Sequence, residues 1–359
     1  MNKKLIAVTV AGALVAPAAF AAGDPEVYGT LHLSVGQFDD EADDATVKAG
    51  GGDGSFMDME SNNSNLGVRG SEDLGGGLKG VYQIELSIDA DDAAAPTMRD
   101  TFVGLAGDWG WLALGRHNSP YKNATGNYDV APDTVIDYNG IMGIDPAGRK
   151  HDDRRNNAIM YKTNDINGFK LEALFGVGDN AKDTNADEQQ EFDIMAKYGQ
   201  GPWEVVAGYS THMAQGANKA TLGKEDAEAM KLGGKFGFNN GNTWVAAVWE
   251  TADGGGNNND RDAYYVSGQH TFGSNAIGVG YAAADDVGNT NDSGAQLIQV
   301  HLSHMMSKRT SGYVQYGALS YDKNTTADYG LVYGGFQPYA ADKTASWFGL
   351  GVIHKFSSM

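Results

Sequence analysis

The chain of 359 residues contains no cysteine, so no disulfide framework holds it together and its stability has to come from its regular elements. Basic charge is scarce. Lys and Arg number 26 against 46 Asp and Glu, giving a net charge of -20 and a pI near 4.6. That balance argues against a nucleic-acid partner. Beyond the N-terminus no apolar run approaches the roughly 20 residues of a membrane helix, because Gly, Asn and Asp interrupt the sequence at short intervals. Catalytic patterns are missing as well: there is no G-x-S-x-G, and His32, His151, His212 and His270 stand isolated. His301 and His304 lie three apart on an expected strand, hence on opposite faces, and the acidic runs lack EF-hand or RTX spacing. The sequence therefore calls for no enzyme, cofactor or metal site.

What is present begins with Lys3 and Lys4, an apolar stretch from Leu5 to about Val15, and a small-residue site at Ala19-Phe20-Ala21. This is the pattern of a secretory signal peptide over residues 1–21, too short to serve as a membrane anchor. Removing it leaves 24 basic and 46 acidic residues, a net charge near -22 by difference.

The next signal has a period of two. From Leu78 to Asp89, the residues Leu78, Tyr82, Ile84, Leu86 and Ile88 share one parity, and Lys79, Gln83, Glu85, Ser87 and Asp89 the other. A strand with one apolar and one polar face results, about ten residues long, which is what a tilted strand needs to cross a bilayer. Similar segments fall near 26–38, 56–69, 78–89, 98–107, 111–117, 155–164, 168–177, 190–199, 202–213, 228–237, 242–251, 261–273, 275–284, 294–305, 310–321 and 345–356. The count is about sixteen, and the links between segments alternate between short and long. Short links are expected at Gly70–Gly77, Asp108–Gly110, Asp165–Asn167, Gln200–Gly201, Phe238–Gly241, Ser274 and Met306–Arg309.

Short turns on one side and long loops on the other describe a transmembrane antiparallel β-barrel, an all-β fold of the outer membrane with periplasmic turns and outer loops. The mean hydropathy of -0.39 does not oppose this, since only every second strand residue meets lipid. The 50 Gly, 17 Tyr, 13 Phe and 6 Trp suit tight turns and aromatic girdles. A soluble exported β-sandwich acting as a binding module shares the alternation, and detergent-free solubility would distinguish it.

Four blocks carry a resemblance: YGTLHLSV from Tyr28, SNLGVRGSEDLGGGLKGVYQIE from Ser64, RDTFVGLAGDWGWLALGRHNSPYKNATG from Arg99, and the closing GLGVIHKF. With these in this order over nearly its whole length, the chain resembles the general porin family of Gram-negative outer membranes. The resemblance implies a homotrimer of sixteen-stranded barrels in outer-membrane lipid and lipopolysaccharide, inserted by the barrel assembly machinery. It further implies that the third loop folds inward and narrows a water-filled pore for small hydrophilic solutes and ions.

The long gap from about 118 to 154 stands where that loop belongs, and holds Asp129, Asp133, Asp137, Asp145 and Tyr138. The resemblance places its carboxylates opposite basic groups at Arg99 and Arg155. Asn65 and Thr30 occupy positions where relatives carry basic residues, so a weak cation preference is expected. Arg69 and Lys79 are read as wall or rim residues with Asn65 and Glu85. Arg116 shares parity with Leu112 and Leu114 and is matched to Asp91 or Asp92 of a neighbouring subunit, with simple solvation as the alternative. The implied function is passive diffusion; a solute-selective channel with an internal binding site is the alternative on the same fold. Ser357, Ser358 and Met359 extend past the aromatic residue on which relatives commonly end.

Overall fold

The computed structural model describes residues 25–41, 54–178, 189–214, 226–333 and 341–358. The signal-peptide assignment falls outside them, as do residues 42–44 and 179–188 of the acidic runs. Seventeen strand segments form one antiparallel sheet. They are β1 (Glu26–Asp40), β2 (Ser55–Ser61), β3 (Asn65–Gly75), β4 (Leu78–Ser87), β5 (Thr101–Gly107) and β6 (Gly110–Asn118). After the long third loop follow β7 (Arg154–Lys162), β8 (Phe169–Gly176), β9 (Gln189–Gln200), β10 (Trp203–Ala214), β11 (Ala227–Phe238) and β12 (Thr243–Asp253). The last are β13 (Asp260–Phe272), β14 (Asn275–Ala284), β15 (Ala295–Met305), β16 (Thr310–Tyr321) and β17 (Thr344–Ser357).

β2 pairs with the Leu33–Asp39 half of β1 and β3 with its Glu26–Thr30 half, so these two segments are one interrupted strand and the barrel has sixteen. The expected single strand over 56–69 is thus broken at Asn62–Ser64, where Asn63 takes φ 60° and swings its side chain inward. β1 also pairs with β17 from Tyr28↔Ser357 to Asp40↔Ala345, which closes the sheet and leaves no edge. The C-terminal extension belongs to this seam: Ser358 N donates to Val27 O at 2.8 Å and Val27 N to Ser358 Oγ at 3.0 Å.

Short links alternate with long ones as expected, although the first is shorter than anticipated. β3 runs on to Gly75 through an irregularity at Asp73/Gly75, and only Gly76 and Gly77 form the turn. Residues 98–100 are not strand; Met98 makes an isolated bridge to Leu86. At Asn167 and Gly168 the chain turns with φ of 53° and 90°, a left-handed path that Asn and Gly tolerate.

Alternation sorts the side chains. On β17, Phe348, Leu350 and Val352 are exposed to the lipid side while Trp347, Gly349 and Gly351 are buried inside. Register extends this band, pairing Leu350 with Val314, and Val300 with Val279 and Tyr316. Trp109, Phe169, Trp203, Phe238 and Phe272 are exposed beside the short turns, and Tyr264, Tyr281, Tyr316 and Phe348 nearer the other strand ends. These are the two aromatic girdles of a membrane barrel. Among the described residues no helix is long and apolar enough to cross a membrane.

Candidate functional site: a charged aperture built on an inward loop

The loop between Asn118 and Arg154 enters the barrel and packs on its inner wall. It starts with a short helix, α1 (Pro120–Thr125), for which Pro120 presets the first turn and Ser119 Oγ accepts the Lys122 N–H at 3.0 Å. Asp137 caps the following single turn at Tyr138–Gly140 by accepting from Asn139 N at 2.9 Å.

The berth for this loop is a row of inward-facing glycines on separate strands. A Cβ on Gly208 would meet Ala124 and Tyr121, one on Gly233 would lie 2.8 Å from Tyr128, and one on Gly278 2.7 Å from Val130. Gly317 is closed in by Ile136 in the same way. Apolar loop residues therefore seat against bare backbone, and Val130, Val135, Ile136, Ile141 and Met142 are buried.

Buried charge fixes the loop to the same wall. Glu250 of β12 accepts from Gly143 N at 2.8 Å, Tyr121 OH at 2.9 Å and Arg261 at 3.0 Å. Lys231 of β11 reaches Asp152 at 2.6 Å and Glu250 at 3.9 Å, and Tyr138 OH donates to Asp152 at 3.0 Å. Burial alone would raise the Asp152 carboxyl, but the ammonium groups of Lys231 and Lys122 hold it below its usual range. At the stem, Arg155 pairs with Asp193 at 3.0 Å and Glu191 at 3.5 Å and donates to His151 O and Ser210. His151 stacks edge-on against His212 and lies 3.5 Å from Asp145; burial lowers its pKa against the pull of that carboxylate.

Several residues expected to face the pore are thereby corrected to anchors. Arg155 is 3 % exposed and sits behind the loop stem, not on the pore wall. Asp129 is buried, binding Ala131 N, Tyr138 N, Tyr265 and Gln299, with burial pushing its pKa up to about 6. Asp145 is buried too, accepting from Ala147 N and Arg149 N; burial alone would raise its carboxyl, yet bonds from His151 and Arg149 hold it low. Tyr138 is enclosed between Thr125, Asp152 and Tyr265. Inside a barrel, loop backbone far from bulk water needs such partners.

The groups left at the aperture are fewer. Asp133 is exposed at the loop tip and accepts from Asn63 across the lumen at 2.6 Å. Asn63 also takes a hydrogen bond from Arg99, whose Nε donates to Glu85 at 2.5 Å. Arg154, not Arg155, stands beside the opening, paired with Asp100 at 2.7 Å. A cavity of about 280 Å³ lies here, lined by Asp133, Asp137, Lys122 and Arg154 among others. Asn63, Asp100, Arg154 and Lys122 were not singled out from sequence; the adjacent acid and base of Arg99-Asp100 and Asp153-Arg154 were the available signal.

Away from the aperture, Arg69 pairs with Glu26 at 2.7 Å and covers the Tyr28 ring, and exposed Lys79 adjoins the β3–β4 turn. Asn65 donates to Asn63 O. Arg116 is held within its own chain by Met98 O and the Asn156 side chain, while Asp91 and Asp92 are exposed.

Comparison with known proteins agrees with this architecture. Outer membrane porin protein 32 of Delftia acidovorans is 29% identical over 99% of this chain and 100% of its own length. The anion-selective porin from Comamonas acidovorans superposes with a TM-score of 0.76 at 22% identity, covering 93% of this chain and 99% of that one. A trimer form of OmpT from Vibrio cholerae gives 0.64 at 15% identity over 93% and 100%. Residues 7–325 match the Gram-negative porin family, and the chain is a member of that family, an outer-membrane channel and not an enzyme.

Proposed function

We propose that the protein is a passive diffusion channel for small hydrophilic solutes and ions, with a weak preference for cations. The observation that carries the preference is the pairing of the fixed charges. Around the loop Arg99, Arg154, Arg155, Lys231 and Arg261 each have a carboxylate partner. Among the described residues Asp133 lies within ion-pair distance of no cation, whereas burial and the neighbouring Asp129 raise the Asp137 carboxyl well above its usual range and Asp152 is taken up by Lys231, so Asp133 is the carboxylate that carries the field. Unpaired negative charge in a narrow, low-dielectric passage raises the local cation concentration.

The same reading takes the working form as a homotrimer in lipid and lipopolysaccharide, exported by cleavage after residue 21 and inserted by the barrel assembly machinery. Arg116 against Asp91 or Asp92 of a neighbouring subunit belongs to it. The trimeric OmpT neighbour supports the assembly.

The deciding experiment is single-channel conductance in a planar bilayer under a KCl gradient. Openings in threes with a reversal potential of the cation-selective sign are expected. The opposite sign, as the name of the Comamonas relative describes for that protein, would overturn the preference and leave the channel standing.

A further inference from the structure

The connection from β16 to β17 does not stay outside the barrel. Ala327, Tyr329 and Leu331 are buried while Asp328 between them is exposed, an alternation belonging to a segment laid on a surface. That surface is the third loop. Gly330 N donates to Gly140 O at 3.1 Å and Val332 N to Val135 O at 2.9 Å, so backbone groups of the two loops satisfy each other within the lumen. The approach is close enough that a Cβ on Gly140 would lie 2.5 Å from Gly330 O. Below it, the Tyr321 hydroxyl donates to Tyr329 O, and Arg261 lies 6.0 Å over the Tyr329 ring. At the end of the segment Tyr333 OH comes within 3.5 Å of Asp133, the carboxylate that Asn63 holds from the opposite wall. Leu331, Val332 and Tyr333 form one side of the cavity beside the aperture.

We propose that Ala327–Tyr333 is a second constriction element, docked on the third loop, with Tyr333 as a size-determining residue of the aperture. This rests on the channel reading above. Two loops then bound the opening, and the bore depends on their clasp as well as on the third loop's own position.

The test perturbs the clasp from both sides and reads conductance, together with the largest neutral polyethylene glycol that enters. Gly140→Ala acts from the third loop, by collision with Gly330 O. Val332→Pro acts from the other side by removing the N–H donated to Val135. Tyr333→Ala removes the phenol alone. All three are expected to raise single-channel conductance by about 1.5-fold or more and to admit larger polymers, since ion flow through a short water-filled constriction follows its narrowest section. Heat-modifiable migration of each variant verifies a folded barrel, and if Gly140→Ala misfolds the other two decide. A wider bore in Gly140→Ala alone would mean a disturbed third loop and overturn the proposal, as would wild-type values in all three. A folded wild-type protein that conducts nothing would remove the channel reading itself, and this proposal with it.

Discussion

Removing Glu250 tests whether buried charge is what keeps the third loop against the wall. Its carboxylate is fully buried, accepts from the loop at Gly143 N and Tyr121 OH, and compensates Arg261. Glu250→Ala leaves Arg261 with only backbone acceptors at Ile141 and Ile144, and leaves two loop donors without their acceptor. Deleting one partner of a buried pair costs about 3–5 kcal/mol. The strand ladder does not bear this cost, because Glu250 pairs through its backbone with Lys231 and Ala263 whatever its side chain. Loop docking bears it, and the docked-to-released ratio falls by about two to four orders of magnitude. In single-channel recordings the variant should flicker between a wild-type level and a higher one, while heat-modifiable migration stays normal. Glu250→Gln, whose amide oxygen can still accept from Gly143 N and Tyr121 OH, should give a quieter trace than Glu250→Ala, since the loop donors keep an acceptor. A folded Glu250→Ala protein with the wild-type current and noise would refute the argument and assign docking to the glycine berth alone.

Leu350→Arg puts a cation on the lipid face between Val314 and Val35 and should cost about 2–4 kcal/mol, read as a lower unfolding midpoint in denaturant; an unchanged midpoint would move Leu350 out of the bilayer. Acid should loosen the loop stem. His151 is buried neutral with its pKa below 6.5, so its stabilising effect is complete above that value and is lost as pH falls through the lowered one. The groups facing His151 are Asp145, Arg155 and His212, with Ser210 hydrogen-bonded to its ring and Glu191 behind His212. Current noise should therefore grow below about pH 6.5 and not in His151→Gln, whereas noise that grows equally in both would point to another group. Asp129, raised to about 6, acts in the opposite direction, since its protonated form is the one burial favours. Deleting Ser357–Met359 removes two seam hydrogen bonds to Val27, about 1 kcal/mol each, and should lower heat resistance. A large gain in trimer yield would show the extension to be an impediment.

The strands were legible because alternation is a local property: each inward or outward assignment on β17 follows from its own parity. Turns were legible for the same reason. The site was less so, since its contacts join distant parts of the chain; Tyr121 and Glu250 are 129 residues apart, and Asn63 and Asp133 are 70 apart. Charge alone could not separate Arg154 from Arg155, for only the fold shows which of two adjacent arginines meets the opening and which meets Asp193. Acidic residues in the loop were read as facing solute, when most of them satisfy the loop's own backbone.

The glycine row behind the loop has a consequence for how this channel can diverge. Each berth glycine works as a missing shim between stave and tongue: a single methyl at Gly233, Gly278 or Gly317 would collide with Tyr128, Val130 or Ile136 and press on the loop from the rear. No charged residue changes in the process. The bore is therefore written in the small residues of the wall as well as in the loop itself, and because Asp133 rides on the loop tip, a change behind the loop also shifts a carboxylate at the opening.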